Sequence, residues 1–228
     1  MKNDLAIFDL DGTLADTLCD LADATNHGLK ILGYPEHDYD KYRYFVGNGV
    51  RKLCERALPE DKKDEADRLL ELFSSYYGVH FLDKTQLYPG IHDMLKRLSA
   101  DGVMLAVATN KPQTFAREIT AALLPDIPFI SVLGGCEERP KKPDTAVIQE
   151  ILSAFSALPG SPEADRVYMA GDSDVDIQTA KNAGVTGIGC VWGFRGLEEL
   201  SAAGADFIAR TAGDIYSIIS ADRGSLPE

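Results

Sequence analysis

The sequence has little of what a membrane, a zinc centre or a nucleic acid would demand. No apolar run approaches the roughly 20 residues needed to cross a bilayer, so no membrane partner is expected. The opening Met1-Lys2-Asn3-Asp4 leads straight into a short apolar stretch, without the apolar core and cleavage site of a signal peptide; a cytoplasmic protein is expected. The 4 cysteines (Cys19, Cys54, Cys136, Cys190) are far apart and form no CxxC pair, which argues against a disulfide framework or structural zinc. The 4 histidines (His27, His37, His80, His92) form no HExxH motif and read as surface or satisfied core positions. Positive charge is also scarce: 23 Lys and Arg against 36 Asp and Glu leave a net charge of -13. Such a surface repels phosphate backbones, so no nucleic-acid partner is expected. A small anion stays admissible, because a lysine or a metal ion can reverse the field inside a pocket.

What is present is an ordinary globular composition, 45% apolar and 26% charged over 228 residues. That length suits one large core, or a core with a small second domain. Short apolar runs at 5–10, 103–108, 129–133, 167–170, 186–191 and 206–209 read as strands buried on both faces. Helical patterns lie between them at 91–100, 112–123, 144–155, 175–183 and 197–203. This alternation predicts an α/β fold with a doubly wound, mostly parallel sheet, a Rossmann-like core.

One gap interrupts the alternation. More than 90 residues separate Leu10 from Val103, whereas a βαβ unit needs only about 30. The intervening stretch reads as helical: Leu18, Leu21, Ala22, Thr25, Leu29 and Leu32 keep helical spacing up to Gly33-Tyr34-Pro35, and 50–58 and 66–81 follow. The expected organisation is an inserted helical cap over 15–86 on a core of 1–14 and 87–228. The plainer alternative is extra helices packed directly on that core.

Ligands of open parallel sheets bind at the carboxyl ends of the strands. The first strand ends in Asp9-Leu10-Asp11-Gly12-Thr13 and the second in Thr109-Asn110-Lys111; Lys141-Lys142-Pro143 follows the third, and the fourth ends in Gly171-Asp172-Ser173-Asp174-Val175-Asp176. Carboxylates gathered at one rim repel each other unless a cation neutralises them. A hard divalent ion such as Mg²⁺ suits all-oxygen ligands, with Asp9 and Asp172 as direct ligands and Lys142 adding positive charge. One carboxylate is then free to serve as nucleophile and another as general acid/base, equipment suited to phosphoryl transfer. Singly, each element is ordinary: an Asp at a strand end often only caps a turn. Asp172, Asp174 and Asp176 also mimic the start of a calcium loop, but Ile177 and Ala183 occupy the positions that need Gly and Glu. The joint occurrence, each group after its own strand, carries the argument.

With these four motifs in order, the chain resembles the haloacid dehalogenase superfamily, in its phosphatase branch with an α-helical cap after strand one. The resemblance implies a doubly wound sheet with strand one central. Segments Phe45–Arg51, Tyr88-Pro-Gly-Ile91, Thr109-Asn-Lys-Pro112, Gly134-Gly135, Lys141-Lys-Pro143 and Trp192-Gly-Phe-Arg195 look most like bacterial phosphoglycolate phosphatases. The chain departs from that pattern at Thr145, where a second proline is usual.

The resemblance implies roles residue by residue. Asp9 is the nucleophile that forms an aspartyl-phosphate, and Asp11 protonates the leaving alcohol and then activates water. Thr109 and the Asn110 amide hold phosphate oxygens, and Lys142 offsets negative charge. Mg²⁺ is held by the Asp9 side chain, the Asp11 backbone carbonyl and Asp172, with Asp176 orienting Lys142 or metal-bound water. In the cap, the Gly47-Asn48-Gly49 loop can approach substrate closely, and Arg51 is the candidate for binding a substrate carboxylate. The expected partner is a small phosphorylated metabolite such as phosphoglycolate, with the chain a monomer or weak homodimer. Pyrophosphatase and sugar phosphomutase activities use the same aspartates and stay open. A dehalogenase would lack Asp11, and a phosphonate hydrolase usually has Ala there. A phospho-accepting receiver module would be about half this length, and the intact motif set speaks against a non-catalytic binding relative.

Overall fold

The computed structural model describes residues 3–159 and 163–224, and for 223 and 224 only the backbone. The element order is β1 (Asp4–Phe8), β2 (Ala15–Asp16), α1 (Leu18–Leu32), α2 (Tyr39–Phe45), α3 (Val50–Ala57), α4 (Ala66–His80) and β3 (Gln86–Leu87). Then come α5 (Ile91–Ala100), β4 (Met104–Pro112), α6 (Gln113–Leu123), β5 (Phe129–Gly135), α7 (Ala146–Ser156), β6 (Arg166–Gly171) and α8 (Asp174–Ala183). The chain closes with β7 (Thr186–Cys190), α9 (Gly196–Ala202), β8 (Phe207–Ala209) and α10 (Ala212–Gly224). No helix among the described residues is long and apolar enough to cross a membrane.

Six strands form one parallel sheet in the order β5-β4-β1-β6-β7-β8. Strand one is central, between β4 and β6, and the order reverses there; the doubly wound expectation holds. The apolar run of β1 is continuous because both faces are covered. Leu5 and Ile7 pack with Ile148, Ile151 and Phe155 of α7 on one side. Ala6 and Phe8 pack with Leu95 and Leu98 of α5 and Ile215 and Ile219 of α10 on the other. Buried on both sides, β1 is a rigid base for the residues that follow it.

A second apolar cluster joins the helices between β1 and β3. Leu21 and Leu29 of α1, Tyr42 of α2, Leu53 of α3, and Leu69 and Phe73 of α4 share it. The two chain segments that connect this cluster to the sheet run side by side. Ala15 pairs with Leu87 and Asp16 with Gln86 in a short antiparallel ladder, extended by the Tyr88 N–H to the Leu14 carbonyl at 3.1 Å. Asp20 at the start of α1 fastens the returning chain, accepting from the Thr85 N–H at 2.9 Å and its hydroxyl at 2.7 Å. Helices α2 and α10 and the β2–β3 ladder are absent from the sequence reading. These elements are short or only weakly amphipathic, so hydrophobic periodicity gives little signal for them.

Candidate active site

The backbone turns sharply after β1, bringing Asp9 and Asp11 to the sheet's carboxyl edge. Gly12 makes the turn at φ +83, and a side chain there would run into the Asp172 carboxylate. Asp172 follows β6, the neighbour of β1, so the two strand ends deliver carboxylates to one point. Oxygens of Asp9, Asp172 and Asp176 lie within 4.8 Å of one another, and all three residues are buried.

Lys142 supplies the counter-charge. Its side chain is 2% exposed, with the ammonium 3.0 Å from Asp9 Oδ1 and 2.7 Å from Asp176 Oδ1. It also donates to the Ala108 carbonyl at 2.8 Å. Burial alone would disfavour the charged amine, but Asp176 and Asp9 more than compensate and hold its pKa above the ordinary lysine value. One cation among three carboxylates leaves the cluster negative. Burial first, and then Asp176 and Asp11 against the opposing Lys142, raise Asp9 to about 6. Burial, reinforced by Asp176 and Asp9, holds Asp172 well above the usual carboxylate range.

The three carboxylates differ in what is left to bind a metal. Asp176 is the most heavily engaged: Oδ1 takes the Lys142 ammonium, and Oδ2 takes the Ser173 N–H at 3.1 Å and its hydroxyl at 2.7 Å. Asp172 accepts one hydrogen bond per oxygen, from the Phe194 N–H at 2.7 Å and the Thr13 hydroxyl at 3.3 Å. Asp9 Oδ1 is buried and accepts no hydrogen bond of good geometry, the Lys142 ammonium lying near it as an ion pair. A buried acceptor in that state, in an all-oxygen set of excess negative charge, fits a hard divalent cation. Asp9 and Asp172 are the side chains free to hold it, and Asp176 is committed to Lys142.

Thr109 and Asn110, in the last half of β4, are buried and line the same cleft as Asp9. The Asn110 side chain joins three segments: its Oδ1 accepts from the Lys142 N–H at 2.9 Å, and its amide donates to the carbonyls of Lys142 at 3.2 Å and Gly47 at 3.1 Å. Over these residues sits the Gly47–Gly49 loop. A side chain at Gly49, where φ is +88, would come within 2.6 Å of the Lys141 ammonium. The cleft between loop and sheet edge encloses about 600 Å³ including its open mouth, and Asp9, Asp11, Thr109, Asn110, Asp172 and Gly49 all line it.

Arg51 does not reach this cleft. Helix α3 buries Leu53, Cys54 and Ala57, which turns Arg51 outward; its guanidinium pairs with Asp67 and Glu55 and the side chain is 55% exposed. The expectation that Arg51 contacts substrate is therefore corrected on this geometry. The cleft's cations are instead Lys111 and Arg195, which sequence reasoning quoted within motifs but gave no role. Lys111, 2% exposed, lies 3.0 Å from Asp11 Oδ1 and 2.7 Å from the Tyr77 hydroxyl of α4. Asp11 also accepts from the Thr17 hydroxyl at 2.7 Å. Arg195, on the loop after β7, donates to the Val46 carbonyl at 2.9 Å, and the neighbouring Gly193 carbonyl accepts from Arg43 at 3.2 Å.

Comparison with known proteins agrees with this geometry. Residues 6–190 match the family model of the haloacid dehalogenase-like hydrolases. A phosphoglycolate phosphatase of Vibrio parahaemolyticus is 33% identical over 223 residues, covering 95% of this chain and 96% of that one. A crystal structure described as a "predicted phosphoglycolate phosphatase" of Haemophilus somnus superposes with a TM-score of 0.83 at 30% identity, covering 96% of this chain and 99% of that one. A haloacid dehalogenase-like hydrolase of Streptococcus pneumoniae gives a TM-score of 0.82 at 27% identity, with 95% and 98% covered. With its parallel sheet, its helical cap and its buried aspartates at the strand ends, the chain belongs to the haloacid dehalogenase-like hydrolases.

Proposed function

We propose that this hydrolase is a Mg²⁺-dependent phosphatase that cleaves a small phosphorylated metabolite, 2-phosphoglycolate before others, through an aspartyl-phosphate. The observation that carries this reading is Asp9 itself: a buried carboxylate on the cleft wall with one oxygen free of hydrogen bonds. That oxygen has only the Lys142 ammonium beside it, and the carboxylate lines the cleft, where it can hold a metal and attack phosphorus. In the first half-reaction Asp9 attacks phosphorus, the ester bond breaks and the leaving alkoxide takes a proton from Asp11. In the second, Asp11 removes a proton from water, which attacks the phosphorus of the aspartyl-phosphate; inorganic phosphate leaves and Asp9 is restored. Splitting one hydrolysis in two replaces a difficult displacement by two easier ones.

Lys142 offsets charge on Asp9 and the phosphoryl group, and Thr109 and the Asn110 amide hold phosphate oxygens. Mg²⁺ held by Asp9, Asp172 and the Asp11 carbonyl would neutralise negative charge as the phosphoryl group approaches. Residues 15–86 act as a cap that hinges on the paired segments beside Ala15 and Leu87 and shuts bulk water out. The names of the relatives support phosphoglycolate as substrate.

The test is phosphate release from 2-phosphoglycolate and from a panel of phosphorylated metabolites, with Mg²⁺ and with excess chelator. Repeated Mg²⁺-dependent turnover, fastest with 2-phosphoglycolate, is expected. A single stoichiometric labelling without turnover would mean a phospho-accepting module and would overturn the reading.

A further inference from the structure

With Arg51 turned onto Asp67, the cleft needs another account of how a substrate is chosen. Its cap side is largely apolar, formed by Leu21, Val46, Val50 and Leu53. The Arg195 guanidinium is committed to the Val46 carbonyl, the Tyr44 carbonyl and Glu199. Lys142 is engaged by Asp9, Asp176 and a backbone carbonyl. Lys111 differs in position. Its ammonium lies 3.0 and 3.3 Å from the two oxygens of Asp11, the residue assigned to the leaving group.

We propose that Lys111 binds a carboxylate carried by the leaving group, so that the site selects phosphate monoesters of 2-hydroxy acids, with Tyr77 fixing the ammonium in place. This rests on the phosphatase reading and deepens it. Asp11 must come within hydrogen-bond reach of the ester oxygen, about 2.6–3.2 Å. An ammonium touching both Asp11 oxygens is then within reach of a carboxylate on the carbon bearing that oxygen. Lysine has three N–H donors. The Tyr77 hydroxyl takes one at 2.7 Å and Asp11 Oδ1 takes one at 3.0 Å, leaving only the longer 3.3 Å contact for the third. That third donor is the one a substrate carboxylate captures. Tyr77 is itself buried, its ring stacked on Phe73 at 5.0 Å and edge-on to Phe115 at 4.9 Å. Because Tyr77 belongs to α4 and Lys111 to β4, the subsite is complete only when the cap is closed.

The test compares 2-phosphoglycolate with ethyl phosphate, which matches its length but has no carboxylate. Lys111→Met should lower kcat/KM for 2-phosphoglycolate by about 100-fold or more, mostly through KM, and much less for ethyl phosphate. Tyr77→Phe, which keeps the ring and removes only the hydroxyl, should raise KM for 2-phosphoglycolate by about tenfold and change ethyl phosphate less. Equal losses on the two esters in both variants would overturn the proposal and leave Lys111 as a support for Asp11. A binding arm separates this from the phosphatase reading. Calorimetry on Asp9→Asn protein with Mg²⁺ should show tighter binding of 2-phosphoglycolate than of ethyl phosphate, and the difference should vanish when Lys111→Met is added. Equal binding of the two esters by Asp9→Asn overturns the Lys111 assignment; no turnover by the parent, with that binding difference intact, overturns only the phosphatase reading.

Discussion

Phe194 donates its backbone N–H to the Asp172 carboxylate at 2.7 Å while its ring is buried in the apolar cluster of the cap. A carboxylate free to hold metal is thus oriented by a residue whose side chain belongs to the other half of the molecule. Lifting the cap would pull on the loop that positions Asp172. The neighbours of Phe194 strengthen the link: Trp192 donates to the Thr13 carbonyl at 3.0 Å and Arg195 to the Val46 carbonyl at 2.9 Å.

That loop predicts a contrast between two arginines. Arg195→Ala removes a charged donor from the cap loop, an interaction worth about 1.5–3 kcal/mol. KM should rise, and kcat/KM should fall roughly 10–100-fold. Arg51→Ala removes only the solvent-screened pairs with Asp67 and Glu55. Its kcat/KM should stay within about threefold of the parent. Steady-state kinetics on both proteins decide; a large Arg51 effect confined to carboxylated substrates would restore it as a binding residue.

Asp9→Asn should lower turnover by at least about a thousandfold, because the amide is nearly isosteric but a poor nucleophile. Stability should move the other way. Asp9 has its folded pKa raised to about 6, chiefly by burial. A raised acid favours the protonated fold, so ionisation costs stability as pH rises from the unfolded value toward 6. Without metal, the Asn variant should melt at or above the parent temperature near pH 7, and the gap should close toward pH 4. A melting temperature well below the parent at pH 7 would refute this.

Metal binding should carry the same pH signature. Asp9, raised to about 6, and Asp172, held well above the usual carboxylate range, must lose their protons to accept a cation. The rise in melting temperature with added Mg²⁺ should be small below the Asp9 value of about 6 and grow as pH rises past it. Excess chelator should abolish turnover, and Ca²⁺ should inhibit, since its larger coordination shell can clamp both oxygens of Asp9. A pH-independent Mg²⁺ effect on melting would contradict the assignment.

Lys142→Met leaves Asp9, Asp172 and Asp176 without their central cation. Removing one partner of such a buried pair costs about 3–5 kcal/mol. Its ammonium pKa is held above the ordinary value, so the stabilisation is present throughout neutral pH and is lost only as pH rises past that of lysine. Denaturant unfolding at pH 7 should register the loss, and activity should fall by about 10²–10³-fold. Added Asp176→Asn should recover part of the stability without recovering turnover.

The sequence by itself determined the sheet and the acidic cluster. Apolar runs of β1, β4 and β6 are visible as such, and parallel strands place all their carboxyl ends on one edge, so residues after each run must converge. Asp9, Asp172 and Lys142 were legible for that reason, although Asp9 precedes the other two by more than 130 residues along the chain. Tertiary structure decided which cations face the cleft. Arg51 lies beside the glycine loop in sequence, but the buried face of α3 turns it toward Asp67. Lys111 is drawn inside because β4 continues to Pro112, beyond its expected end, and because α4 brings Tyr77 against it from 34 residues away. The direction of a side chain depends on which face its element buries and on what packs over it, and a contact between cap and core exists only once both have folded.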